Sequence, residues 1–195
     1  MTLMYVTAKP RLTRRSSMFG HRLQSALFMA MLVAPCASAA VRTPRKASTL
    51  PRAIIGNLDR RFPGWQFASP NESVVQRVNN ERPRSAEDMC IGQADFDGNG
   101  TIDYAVHIKV GQSLNETRLI VYLRHGSRYW HRTLERGDRS GELIVTVAPK
   151  GMQDFDYTND RKIIYSLPTI MFAGEKGGYS YIYRRGRFYR IISSD

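Results

Sequence analysis

The sequence predicts a mainly β domain, an antiparallel meander that forms a curled sheet or a sandwich, with one short helix at its N-terminal end. Segments in which apolar and polar residues alternate recur along the second half of the chain, and this is the period of half-buried strands. Turn signals such as His125-Gly126-Ser127 and Arg185-Gly186 separate these segments. Strands joined by short turns favour antiparallel hairpins, like those of a propeller blade.

The N-terminal segment has the features of an export signal. Residues 1–39 carry five basic residues and no acid, and the apolar run from Ala26 to Cys36 is too short to span a bilayer. Small residues precede Ala40, which suits cleavage before it. Two alternatives remain. Arg14-Arg15 would suit a twin-arginine signal, and Cys36 would suit a lipoprotein signal in which the cysteine carries a lipid anchor. Ordinary cleavage is the preferred interpretation.

Cleavage divides the chain into three parts. Residues 1–39 are the predicted signal peptide, 40–48 a polar linker, and 49–195 a single β-rich domain. We expect a periplasmic or secreted protein with no transmembrane segment after cleavage. The formal net charge is +12, but the chain lacks the dense runs of Lys and Arg that form nucleic-acid-binding arms, so no nucleic-acid partner is expected.

The predicted domain opens with the short helix. Thr49 is expected to cap it and Pro63-Gly64 to end it. Its apolar face is predicted from helical spacing to comprise Ile54, Ile55, Leu58 and Phe62. Trp65 and Phe67 are expected to pack under the sheet, and Ser73 to Val78 to form a short strand.

The segment 95–103 is the predicted metal site. Ca²⁺ is a hard cation that takes six to eight oxygen ligands, so a short loop must offer oxygens at alternating positions. Five residues meet this requirement: Asp95, Asp97, Asn99, Thr101 and Asp103. Thr101 would contribute its backbone carbonyl and the others their side chains, while Gly100 stands where a calcium loop turns sharply. Gly98 is not required by this scheme.

The loop is followed by a predicted strand and not by a helix. One face of that strand is expected to be buried and is formed by Ile102, Tyr104, Val106, Ile108 and Val110. Val106 stands where an EF-hand needs its bidentate Glu, so the loop is not an EF-hand.

The run Ala94-Asp-Phe-Asp-Gly-Asn-Gly-Thr-Ile-Asp resembles the calcium loop of FG-GAP or VCBS-type repeats, also found in integrin α propellers. The resemblance covers about a dozen residues and implies that Asp95, Asp97, Asn99 and Asp103 bind Ca²⁺. The chain is also similar to small exported bacterial proteins that carry a single such loop. A single loop without an internal repeat disfavours a whole propeller.

Other residues have structural interpretations that are preferred over functional ones. Asp154, Asp156 and Asp160 are expected in a solvated acidic turn, with a second calcium site as the alternative. His107 is expected on the surface, and no zinc-like spacing joins it to His125 or His131. Cys90 is expected to be buried. The alternating Tyr179, Tyr181 and Tyr183 are expected to pack on the sheet, with sugar stacking as the alternative.

Arginines are frequent in the predicted strands and turns of 118–139. They are Arg118, Arg124, Arg128, Arg132, Arg136 and Arg139. A solvated sheet face is the preferred interpretation, and a basic face for an anionic polymer or lipid headgroups is the alternative.

These observations favour an exported, calcium-binding β domain that is a non-enzymatic binding or structural module for an unknown protein or envelope polymer. A hydrolase of polysaccharide or cell wall with a structural calcium is the first alternative. A basic module for anionic envelope polymers is the second. Two carboxylates in a cleft away from the calcium loop would favour the hydrolase.

Overall fold

Two antiparallel sheets pack face to face in this protein, and a helix and a hairpin cover their outer faces. A computed structural model describes residues 49–81, 83–111, 114–137, 143–174 and 177–193. The predicted signal peptide and linker lie outside these residues, and so does Arg139. The predicted fold class, mainly β and antiparallel, is confirmed.

The described elements follow one another in this order: α1 Arg52–Arg61, β1 Gln66–Phe67, α2 Glu72–Glu81, a 3-10 turn Asp88–Cys90, β2 Ile91–Ala94, β3 Asp103–Val110, β4 Glu116–His125, β5 Arg128–Gly137, β6 Leu143–Ala148, β7 Gln153–Asp156, β8 Arg161–Ile164, β9 Thr169–Gly174, β10 Gly177–Arg184 and β11 Arg187–Ser193. Sheet A has the order β1-β3-β4-β5, and β2 also pairs with β3. Sheet B has the order β11-β10-β9-β6, and β7 pairs with β8 in a separate hairpin.

Strand β3 lies at the centre of sheet A and is buried on both faces. Val106 and Ile108 pack with Ile54 and Leu58 of α1 on one side. On the other side Ala105 packs against sheet B in a cluster that includes Leu119, Val121, Val145 and Phe172. The sequence predicted one buried face, and a second sheet buries the other as well. Ile102, predicted on the buried face, precedes β3 and is half-exposed.

The outer face of sheet B is covered by the β7–β8 hairpin. Ile163 and Tyr165 from the hairpin segment pack with Ile182 and Ile191 of β10 and β11. The opposite face of β10 carries the predicted tyrosine stripe, in which Tyr181 is buried and Tyr179 is partly buried in the core between the sheets. The packing interpretation of this stripe therefore holds.

The helical part of the chain differs from the prediction in two ways. Residues 73–78, predicted as a strand, belong to α2, because Val74, Val75 and Val78 form a helical stripe that packs near Met89 and Ile144. Helical spacing of the valines outweighs their β-branched character here. Thr49 does not cap α1, whose N-cap is Pro51 with no side-chain hydrogen bond. Within the described residues, both helices are too short and too polar to span a bilayer.

A β-bulge in β5 decides which face its side chains occupy. Leu119 of β4 pairs with Glu135, whereas the next residue, Ile120, pairs with Thr133. Leu134 is therefore the extra residue. Beyond the bulge Arg136 pairs with Arg118, on the face of sheet A that α1 covers.

His107 is a buried polar residue in the core between the sheets. It was predicted on the surface, but it is fully inaccessible and its ring meets that of Phe172 edge-on at 4.7 Å. Neither ring nitrogen has a hydrogen-bond partner of good geometry among the described residues. Burial lowers the pKa of His107 to about 4, and the nearby backbone of Leu143 offsets this only in part.

We expect His107 to destabilise the fold in mild acid. An unfolded chain binds a proton at His107 near pH 6.5, whereas the folded chain does so only near pH 4, so the free energy of unfolding falls as the pH drops between these values. The loss should reach about 3 kcal/mol. Denaturant titrations of the wild type and of His107→Leu from pH 7 to pH 4 measure it. Parallel pH profiles for the two proteins would contradict this expectation.

Candidate metal site

The predicted calcium loop connects two paired strands. β2 and β3 are antiparallel, and Ala94 pairs with Asp103, so the intervening residues close over the end of a hairpin. The loop lies beside the turn between β4 and β5, because its side chains contact the backbone of Arg124.

Three carboxylates converge in this loop. Asp95, Asp97 and Asp103 each offer one oxygen, and these atoms lie within 4.8 Å of one another. Oxygens on opposite sides of a calcium ion, each 2.3–2.6 Å from it, are separated by about 5 Å. The three aspartates are therefore close enough to share one cation of this size, and they form a group that could hold a metal ion.

Asp95 organises the loop from its first position. Its Oδ1 accepts hydrogen bonds from the backbone N–H groups of Gly98 and Asn99 at 2.8 and 3.0 Å, and its Oδ2 accepts one from Gly100 at 2.8 Å. The chain can wrap a side chain this tightly because Gly98 and Gly100 have φ angles of 79° and 83°. A carboxylate oxygen that accepts one N–H keeps lone-pair capacity for a cation.

Gly98 is more constrained than the sequence suggested. A Cβ atom at this position would lie 3.0 Å from Cδ2 of Leu167, whereas a Cβ at Gly100 would meet open space. Both positions have a positive φ, but a side chain at position 98 would also have to displace the end of Leu167. The sequence carried no signal for this, because Leu167 is distant along the chain.

Asp97 faces the turn between β4 and β5. Its Oδ1 accepts a hydrogen bond from the backbone N–H of Asn99 at 3.1 Å, and its Oδ2 lies 3.4 Å from Nε2 of His125. A protonated His125 would therefore compete with a metal ion for this carboxylate.

Asp103 is the buried member of the group. Its Oδ2 accepts a hydrogen bond from the backbone N–H of Phe96 at 2.9 Å, and its Oδ1 accepts one from the backbone N–H of Arg124 at 2.7 Å. Burial raises the pKa of Asp103 to about 6, and the charges of Asp97 and Asp95 add to this effect, while the two N–H donors oppose it. A cation between the three carboxylates would relieve the same repulsion.

Asn99 and Thr101, the other predicted ligands, are engaged in hydrogen bonds. Oδ1 of Asn99 accepts from both the N–H and the hydroxyl of Thr101, which uses both lone pairs of the amide oxygen. The Nδ2 group of Asn99 donates to the carbonyl of Arg124 at 2.8 Å and to Asp97. These contacts fasten the loop to β4, and the role of Asn99 as a metal ligand stays a prediction. A role for the Thr101 carbonyl remains a prediction.

The second group of aspartates is arranged differently. Asp154 accepts a hydrogen bond from the hydroxyl of Tyr165. Asp156 accepts bonds from Thr158 and Asn159 in its own turn, and the Asn159 side chain lowers its pKa. Asp160 is exposed. Within the described residues these aspartates do not form a converging group, and Asp156 is not solvated as predicted, because its own turn covers it.

The other two candidate residues, Cys90 and His131, are packed against neighbouring groups. Cys90 is buried as predicted, its thiol donates to the carbonyl of Ala86, and burial raises its pKa to about 12. His131 lies against the ring of Tyr122 and the side chain of Arg61.

The predicted basic face is divided. Arg118, Arg124 and Arg136 lie on the α1 side of sheet A, while Arg128 and Arg132 lie on the opposite side. They do not form one surface, because the face that a residue occupies depends on strand register.

Asp103 should stabilise the fold even without metal. Asp103→Ala removes the acceptor of two backbone N–H groups, one of them fully buried, so we expect the free energy of unfolding to fall by about 2–4 kcal/mol. The measurement is denaturant unfolding in the presence of chelator, so that loss of metal cannot explain the result. Asp97→Ala is the comparison and should cost under about 1 kcal/mol there, since the N–H and the Nδ2 of Asn99, which donate to Asp97, keep second acceptors in Asp95 and the Arg124 carbonyl. Equal losses would show that Asp103 has no special structural role.

Comparisons with known proteins leave the site to be interpreted from its own chemistry. No protein-family model, curated protein or solved structure matched the chain. The resemblance of the loop to FG-GAP repeats therefore stays a prediction, and the three converging carboxylates are the structural observation that bears on a metal.

Proposed function

We propose that this protein is an exported β-sandwich domain in which the loop 95–103 binds one Ca²⁺ ion, and that it acts as a non-enzymatic binding or structural module. The convergence of Asp95, Asp97 and Asp103 is the observation that carries the proposal. The partner is an unidentified protein or envelope polymer.

The donor set supports calcium over other metals. The three converging side chains supply oxygen only, which suits a hard cation and disfavours metals that prefer sulfur ligands. The backbone and water must complete the coordination shell, and Ca²⁺ tolerates such mixed and irregular shells better than Mg²⁺ does. The N–H groups that fix Asp95 and Asp103 hold their carboxylates in place before a cation arrives.

The position of the loop supports a stabilising role for the ion. Asp103 begins β3, the central strand of sheet A, and contacts β4 through the N–H of Arg124. A cation bound by Asp95, Asp97 and Asp103 would therefore join the loop to the strand pair at the core of the domain. Three carboxylates within 4.8 Å repel one another without it.

Calcium should raise the melting temperature of the wild-type protein. At a Ca²⁺ concentration 100-fold above the dissociation constant, binding would add about 2.7 kcal/mol of stability, and Mg²⁺ at the same concentration should add much less. Thermal unfolding in Ca²⁺, in Mg²⁺ and in chelator measures the shift. Asp97→Asn should abolish it, because one carboxylate of the site is lost.

Asp160→Asn is the matched control for this experiment. It makes the same chemical change at an exposed position in the β7–β8 turn, where the φ angle of 48° is one that Asn tolerates. Its melting temperature should rise with Ca²⁺ as in the wild type. A wild-type protein that melts identically in Ca²⁺ and in chelator, with no heat of binding in calorimetry, would refute the calcium proposal.

The two surface clefts described do not contain the pair of carboxylates that would support the hydrolase alternative. A cleft of about 770 Å³ contains Asp88, and one of about 440 Å³ contains Asp156, each as a single carboxylate. Each of these aspartates is also engaged in hydrogen bonds, Asp88 with Ser85 and Asp156 with Asn159. Two carboxylates on either side of a substrate, as glycoside hydrolysis needs, are not found in either cleft.

Export makes a separate prediction. If residues 1–39 are a signal peptide, the protein recovered from outside the cytoplasm should begin near Ala40. N-terminal sequencing and intact mass of the fractionated protein measure this. A lipid mass on Cys36 would identify the lipoprotein alternative, and an intact N-terminus on cytosolic protein would exclude export.

A further inference from the structure

The first half of β5 presents an exposed row of one aromatic and two cationic side chains. Arg128, Trp130 and Arg132 alternate along the strand, so they share one face. Trp130 is 69% exposed, and both arginines are exposed as well. Tryptophan is usually well buried, so an exposed one between two arginines needs a reason.

The register explains why no described residue covers this row. Trp130 pairs with Leu123 and Arg132 with Val121, which places the row on the side of sheet A that faces sheet B. Sheet B contacts this side farther along β5, where Glu135 accepts hydrogen bonds from Tyr181 and Arg190. The first half of β5 therefore extends beyond sheet B as a ledge, defined here as Arg128, Trp130 and Arg132.

The side chains of the ledge are not used within the described part of the chain. Arg190 is paired with Glu135 and Arg118 with Glu116, whereas Arg128 and Arg132 have no ion pair with a described acidic residue. Trp130 likewise makes no ring contact or hydrogen bond with a described residue, in contrast to Trp65, which donates to Asp59. The Cα atoms of Arg128 and Arg132 are about 13 Å apart along the strand, so the two arginines stand on either side of a flat apolar ring.

We propose that this ledge binds an acidic polysaccharide. The indole ring offers a flat apolar surface on which the C–H face of a sugar ring can stack, and each guanidinium can form a bidentate pair with a carboxylate on a neighbouring sugar. The row is straight because it follows an edge strand, and this shape fits a linear polymer. The proposal rests on residues outside the metal loop and stands whether or not that loop binds calcium.

The composition of the ledge favours a polysaccharide over two other anionic partners. Binding to a membrane surface requires a broad apolar stripe, and the ledge has a single apolar side chain. Affinity for nucleic acid comes mainly from many simultaneous phosphate contacts, and the ledge supplies two cations. A polymer that offers one stacking ring and spaced carboxylates matches what is present.

The experiment uses the purified protein and a hyaluronan oligosaccharide as probe, with a chitin oligosaccharide of equal length as the uncharged counterpart. The chain has two tryptophans and Trp65 is only 3% exposed, so quenching of fluorescence by acrylamide reports Trp130. We expect hyaluronan, and not the chitin oligosaccharide, to protect Trp130 from the quencher. Calorimetry should show about tenfold weaker binding for Trp130→Ala and for Arg132→Gln, and partial recovery for Trp130→Tyr.

Arg136→Gln is the matched control, because it removes the same charge from the same strand on the α1 side of the sheet. It should change the dissociation constant less than twofold. Equal losses for Arg132→Gln and Arg136→Gln would overturn the proposal in favour of unspecific charge attraction. Absence of hyaluronan binding would overturn it too, as would tighter binding to phosphatidylglycerol vesicles or to oligothymidylate that depends on Trp130. Repeating the titration in Ca²⁺ and in chelator separates this result from the calcium proposal.

Discussion

The buried carboxylate of Asp103 is the contact on which the arrangement of the loop end depends. It accepts one backbone N–H from the loop, at Phe96, and one from the neighbouring strand, at Arg124. Phe96 is itself fully buried in the core between the sheets. A single side chain at the first position of β3 therefore fixes both the path of the loop and the depth to which Phe96 enters the core.

In the same region, repulsion between carboxylates is opposed by hydrogen bonds from backbone N–H groups. Asp103 is buried beside two other carboxylates, a situation that raises its pKa and costs free energy when all three are ionised. The backbone N–H groups of Gly98, Asn99 and Gly100 point at Asp95 and offset part of that cost. The three carboxylates, two of them oriented by backbone N–H groups, form a group that could hold a metal ion.

Local patterns in the sequence were sufficient for some features and insufficient for others. The strand at 103–110 and the turns at Gly126 and Gly186 depend on neighbouring residues, and the structure confirms them, although the strand is buried on both faces. The spacing of Asp95, Asp97 and Asp103 is also local, which is why their convergence could be anticipated. The burial of His107 and the tight contact at Gly98 depend on Phe172 and Leu167, which no local pattern reveals. Residues 73–78 carried a helical stripe that β-branched valines obscured.

The bulge at Leu134 shows that strand register decides where charge lies on this surface. The bulge shifts the alternation of β5 by one residue, so that Arg136 leaves the side occupied by Arg128 and Arg132 and Glu135 takes that side instead. Regular pairing of the same residues, without the bulge, would put Leu134 opposite Leu119, turn Glu135 toward α1 and place Arg136 in the row as a third arginine. The distribution of charge between the two faces of sheet A therefore depends on the presence and position of one bulge, and two chains of identical composition could differ in the polarity of these faces through strand register alone.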